Sequence, residues 1–110
     1  MPNRILATAT TPLPAAALDP TQVIDGTPAT GVLDMADSGF ACGLWEHSVG
    51  TSTDVESDEV FVVLSGRARI DIEGQESIDI GPGDVVQLEA GTRTTWQIHE
   101  DLRKFWVTRP

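Results

Sequence analysis

Apolar side chains in this chain recur at every second position, in short runs cut by glycine and proline, and no stretch has a convincing helical period. RARIDIE, residues 67–73, is the clearest case. Ala68, Ile70 and Ile72 fall on one face of an extended backbone, and Arg67, Arg69 and Asp71 on the other. Such alternation belongs to a strand with one face buried. Gly74 follows and SIDI (77–80) alternates again, so the two runs predict a hairpin turning near Gly74. VFVVL (60–64) is apolar throughout and predicts a strand covered on both faces. GPG (81–83) and AGT (90–92) are turns around a DVVQLE strand (84–89), and TRTTWQIH (92–99) and LRKFWVT (102–108) read as two further strands. Upstream, ATGVLDMA (29–36) and GFACGLWEH (39–47) are strands around a turn at Asp37-Ser38-Gly39. Gly50 to Asp58 is polar except for Val55 and reads as a loop or a ragged strand end at a rim. About eight short strands at this spacing predict an antiparallel sandwich or barrel.

The length of 110 residues fits one domain. A chain of this size buries roughly 65% of its unfolded surface, enough for a core without covalent staples. Cys42 is the single cysteine, so no internal disulfide is possible, and a reducing, cytoplasmic setting is expected. No stretch is long and apolar enough for a membrane span. Residues 1–20, interrupted by Pro12 and Pro14, read as an extended arm rather than a signal peptide, and residues 21–110 as the barrel domain. The arm is expected either to be disordered or to pair along a neighbouring subunit's sheet edge. Seventeen acidic residues face seven basic ones, and the net charge of −10 argues against nucleic acid or an anionic membrane as partner. Residues 1–60 carry nine of those acids against Arg4 alone. Most of these carboxylates are expected simply to keep the surface solvated.

Two spacings carry more than fold. Glu59 precedes Gly66 with six residues between, and Gly83 leads through Glu89-Ala90-Gly91 to Thr94. This layout resembles the two motifs of the cupins, small antiparallel jelly-roll β-barrels. The resemblance assigns Glu59 to the motif glutamate and Gly66, Gly83 and Gly91 to the structural glycines. In metal-dependent cupins that glutamate joins a His-x-His pair and a third histidine around a metal. Here the pair falls on Ser52 and Asp54, or on Thr53 and Val55, Glu89 stands at a turn proline, and the last histidine is Thr94. Three of the four ligands implied by the resemblance are therefore missing. A tight transition-metal site needs three or more converging imidazole, thiolate or carboxylate donors, so no metal and no other cofactor is expected. His47 lies outside the motif position and reads as a surface or satisfied strand-end residue, and alternation from Thr94 and Trp96 places His99 outside the barrel.

WQIHEDLRKFWV (96–107) is similar to the ending of a small-cupin group related to ureidoglycine aminohydrolase and to the cupin of ethanolamine-utilisation operons. Trp96, Glu100, Arg103 and Lys104 fall on that pattern, with Trp45-Glu46 upstream. The resemblance runs from about Trp45 to Val107 and implies a single RmlC-like cupin barrel and a homodimer. Ureidoglycine aminohydrolase itself is a two-domain metal enzyme whose ligands this chain lacks. A pocket walled by Trp45, Thr94 and Trp96 would suit a planar small molecule. Lys104, the only lysine, would pair with Glu59 as an acid/base couple at its floor. Simpler readings stand beside these: Glu59 as a solvated rim carboxylate of DVESDE, Lys104 snorkelling over Phe105 or Trp106, Trp96 as core, Thr94 as a strand residue, and Cys42 as buried and inert. The expectation is a small-molecule pocket acting on a polar metabolite such as a ureide, amino-acid or organic-acid derivative. It is either an enzyme of unassigned reaction or a non-catalytic binding or sensing module. An epimerase-like role is weaker, because it would want a histidine inside the barrel.

Overall fold

The computed structural model describes residues 3–35 and 40–109. Within them the chain forms nine antiparallel strands: β1 (Ala15–Ala17), β2 (Val23–Asp25), β3 (Ala29–Asp34), β4 (Cys42–His47), β5 (Gly50–Val55), β6 (Glu59–Ile72), β7 (Ile78–Ile80), β8 (Val85–Leu88) and β9 (Arg93–Thr108). The architecture is all-β, a curled antiparallel sheet, and its one helical turn among the described residues is a 3-10 turn at Pro20–Gln22. The turn expected at Asp37-Ser38-Gly39 lies outside the described residues. No helix among the described residues is long and apolar enough to cross a membrane.

Strand β9 is the spine. One of its edges pairs with β6 along nearly its whole length, and the other pairs first with β5 and then with β4. The two strands expected at 92–99 and 102–108 are thus one, because Glu100-Asp101 stays extended between them. Asp101 Oδ1 there accepts a hydrogen bond from Val49 N at 3.0 Å, tying the middle of the spine to the β4–β5 link. Gly50 to Val55, expected as a loop or ragged end, is a regular strand paired with β9 from Gly50↔Ile98 to Val55↔Arg93. Its polar composition misled the reading, because on one face its side chains meet a cavity rather than an apolar core.

The runs at 60–64 and 67–73 are likewise one strand, β6, bent at Gly66, which has φ +89°. Pairing with β9 shifts register three times between Val63 and Ala68, so the buried positions change parity across the bend. Phe61 and Val63 face inward before it, Ala68, Ile70 and Ile72 after it. That corrects the expectation of a strand covered on both faces, since Val60 is 44% exposed. The hairpin at Gly74 forms as expected, with Ala68↔Ile80 and Ile70↔Ile78 in register.

The main core is built from Phe61, Val63, Ile70, Trp96, Ile98 and Leu102 inside the curl. A smaller cluster of Met35, Cys42 and Leu44 lies separately, with Leu64 and Phe105 packed against it, and Ala7 and Leu13 of the N-terminal arm join it. The arm pairs β1 with β3 of its own sheet, from Ala15↔Gly31 to Ala17↔Ala29, rather than leaving the molecule. Arg103 fastens it further, donating to the Thr11 carbonyl and to Glu46 Oε2, the latter at 2.7 Å.

Candidate functional site

Directly opposed residues in an antiparallel pair share a face, so the sheet register decides what enters the curl. Along β9 the inward positions are Thr94, Trp96, Ile98, Leu102 and Lys104. Opposite them stand Asp54, Ser52 and Gly50 on β5, then His47 and Trp45 on β4. Beside a packed apolar core, the same face therefore carries a row of polar and aromatic groups around a cavity of about 380 Å³.

Lys104 is the centre of that row. It is 4% exposed, and its Nζ donates to Glu59 Oε2 at 2.9 Å and to Oε1 at 3.1 Å. The ammonium also lies over three aromatic rings, 4.3 Å from the Phe61 centroid, 4.7 Å from Trp45 and 5.0 Å from Trp96. A lone buried ammonium would be prohibitively costly; a carboxylate contacted through both oxygens plus ring faces offsets that cost. The snorkelling alternative over Phe105 or Trp106 is set aside by this geometry. Glu59, at the first position of β6, is correspondingly not a freely solvated rim group, its side chain being 11% exposed.

Thr94 and Trp96 serve a second carboxylate that sequence reasoning missed. Glu56 is 8% exposed, and its Oε2 accepts from Thr94 Oγ1 at 2.6 Å and from Trp96 Nε1 at 3.0 Å. Thr94 does not line the cavity that holds Lys104; its hydroxyl is committed to Glu56, which does. Backbone bonds hold Glu56 in place, Glu56 N donating to Thr92 O and Gly91 N to Glu56 O. The motif glycine Gly91 thus positions this acid. Trp45 walls the cavity as expected, while Trp96 is both core and wall.

His47 is the satisfied strand-end residue of the two expectations, closing β4 with both ring nitrogens bonded, but it faces the cavity and not the surface. It is 1% exposed, lines the cavity, and packs its ring against Trp45 at 5.5 Å. Its Nδ1 lies 2.6 Å from the Ser48 carbonyl, which can only accept, so Nδ1 carries a proton, and in the neutral ring Nε2 accepts from Ser52 Oγ at 2.8 Å. Burial depresses its basicity below the ordinary 6.5, against smaller raising effects from the Ser48 carbonyl and Asp101. Because the folded value is the lower one, its contribution to stability is complete above 6.5 and is lost as pH falls through the folded value. Urea titrations at steps from about pH 7 to about pH 5 should show stability falling in the wild type by more than in His47→Gln, whose curve lacks this component. Equal slopes in the two proteins would contradict a buried neutral imidazole. His99 is exposed, as alternation required.

Ser52 and Asp54, where one alignment of the motif puts its histidine pair, do face this side, Ser52 buried against His47 and Asp54 at the mouth. Desolvation raises the Asp54 carboxyl above its ordinary range, and the Glu56 charge adds to it. The donor set does not fit a transition metal. Both Glu59 oxygens are engaged by an ammonium, whose charge repels a second cation, and Ser52 and His47 are bonded to each other. Among the described residues, no three His, Cys, Asp or Glu side chains converge on one point. Of the C-terminal pattern, Glu100 and Arg103 lie elsewhere. Glu100 is an exposed partner of Arg67 at 3.9 Å, and Arg103 alternates out of the site to pair with Glu46.

Comparison with known proteins agrees with the fold. The profile described as EutQ-like cupin domain matches residues 35–106. The EutQ protein of Clostridium difficile superposes with a TM-score of 0.67 at 23% identity, over 86% of this chain and 75% of that one. A putative ethanolamine utilization protein Q from Salmonella typhimurium gives 0.64 at 18% identity, over 90% and 98%. A protein of unknown function from Acidithiobacillus ferrooxidans gives 0.62 at 25% identity, over 94% and 99%. No curated protein matches the sequence. At these identities the two EutQ structures speak for the fold alone, and the profile match over most of the chain speaks for the family: the chain belongs to the EutQ-like cupin domains.

Proposed function

We propose that this chain is a small-molecule pocket protein that works without a transition metal, its polar centre being the Lys104–Glu59 pair. The observation that carries the reading is a paired ammonium, four per cent exposed, beside an open cavity of about 380 Å³ walled by Trp45 and Trp96. A few fixed polar groups among flat apolar faces are what a site for a small polar metabolite requires. Ureides, amino acids and their derivatives have the right size and polarity. The pair's anchoring favours binding or sensing over proton exchange, since the Lys104 ammonium is held by both Glu59 oxygens and boxed by three rings. His47, with its Nε2 lone pair on Ser52, supports catalysis as the second reading and restores the interior histidine that an epimerase-like role would need.

The test is a thermal-shift and calorimetric screen of small polar metabolites against wild type and Lys104→Met. A ligand that stabilises the wild type and changes at least tenfold in affinity, in either direction, when Lys104→Met removes the charge fits the reading, about what one charge-assisted contact is worth. Ligands indifferent to both Lys104 and Trp45 would sink it. Turnover of the same ligand by the wild type, absent in His47→Gln, would decide for an enzyme.

A further inference from the structure

The charges of the cavity do not balance. Lys104 is the only basic side chain lining it, and both oxygens of Glu59 already answer that charge. Burial favours the neutral form of His47, which supplies no second cation. Two further carboxylates, Glu56 and Asp54, line the same space, and among the described residues neither is in an ion pair, although the Lys104 charge reaches Asp54. Glu56 is more than nine-tenths buried, yet both of its hydrogen bonds fall on Oε2. Oε1 accepts no hydrogen bond among the described residues, and no fully enclosed side-chain polar atom there lacks a partner, so Oε1 borders open space. Among the described residues, Asp54 Oδ1 accepts only from its neighbour's backbone, Val55 N at 2.8 Å. A carboxylate oxygen at the cavity surface with no protein donor offers a place for a cationic donor arriving from the cavity.

Resting on the small-molecule reading above, we propose that the ligand is a small organic cation, a protonated amine or amidinium, whose charged end meets Glu56 Oε1 and Asp54 while its body lies against the indoles of Trp45 and Trp96. Burial first, and then the Glu56 charge, raise the proton affinity of the Asp54 carboxyl, with Lys104 opposing them. Simple organic acids are disfavoured, because they would meet two like charges at the mouth and find the one ammonium already occupied.

Three probes of matched shape separate the possibilities: benzylamine, benzyl alcohol and benzoate, followed by calorimetry and saturation-transfer NMR at fixed ionic strength. The proteins are wild type, Glu56→Gln, Asp54→Asn, Lys104→Met and the exposed control Asp79→Asn. Glu56→Gln keeps an acceptor for Thr94 and Trp96, so it should fold. Benzylamine should bind best, should weaken about tenfold in Glu56→Gln and less in Asp54→Asn, and should be unchanged by Asp79→Asn. Preference for benzoate or benzyl alcohol, lost in Lys104→Met, overturns the cation while leaving the pocket standing. Benzylamine binding that all variants share equally is surface attraction and overturns the cation too. No binding of any probe counts against both the cation and the pocket.

Discussion

Replacing Lys104 with methionine should cost about 3–5 kcal/mol of unfolding free energy, the loss typical of removing one partner from a buried ion pair. The methionine chain fills much of the space, so the cost does not come from a void. It comes from Glu59, left enclosed with no donor on either oxygen, and from three ring faces that lose their cation. The same logic predicts an unusual recovery. Lys104→Met combined with Glu59→Leu should regain most of the stability, because a buried pair replaced by apolar groups of similar volume is often neutral. Urea unfolding of the two single variants and the double variant gives the coupling directly. Costs under about 1 kcal/mol for each single variant would place the pair in solvent, where exposed bridges contribute that little.

The second large effect is at Gly66. A Cβ built there would lie 2.2 Å from the Asp101 carbonyl oxygen and 2.7 Å from Leu102 Cα, both backbone atoms of the spine strand. The position also has φ +89°, where a side chain is strained irrespective of space. Gly66→Ala should therefore cost about 3 kcal/mol or more, adding backbone strain to overpacking. Gly74→Ala isolates the first contribution. Its φ is +84° with nothing within 4 Å of the added carbon, so about 1–2 kcal/mol is expected. Equal thermal shifts in the two variants would mean that the bend at Gly66 is not clamped against β9. The bend matters for the pocket because it resets the parity of β6, placing Phe61 under the ammonium while Ile70 and Ile72 fill the far end.

Much of this was legible in the sequence. Alternation in RARIDIE and SIDI identified their strands and the hairpin between them, and the motif spacing singled out Glu59 and Gly66. What the sequence hid is pairing over distance. Period two shows that Trp96 and Lys104 share a face, but only the register Leu102↔His47 and Ser52↔Trp96 shows which upstream residues join them. His47 was therefore read as peripheral. Glu56 was lost in DVESDE, since a run of acids reads as solvated surface unless the Gly91 turn is known to fold over it. One signal could have found it: Ser52, Asp54 and Glu56 keep the two-residue spacing of β5 beyond its end. The parity change at Gly66 left no trace in VFVVL, because both faces of that run are apolar and only one is buried. The N-terminal arm's partner was equally hidden, since three consecutive alanines in β1 carry no face preference at all.

The cation in this pocket is the chain's own ammonium, held by both oxygens of Glu59. The most direct test is titration calorimetry of freshly purified, dialysed protein with zinc and manganese, alongside elemental analysis of the starting material. No stoichiometric metal in the protein and no saturable binding at micromolar concentration are expected, because Glu59 is occupied, His47 is bonded to Ser52, and no three donors converge among the described residues. A transition metal present at one per chain and lost in Glu59→Ala would contradict that expectation.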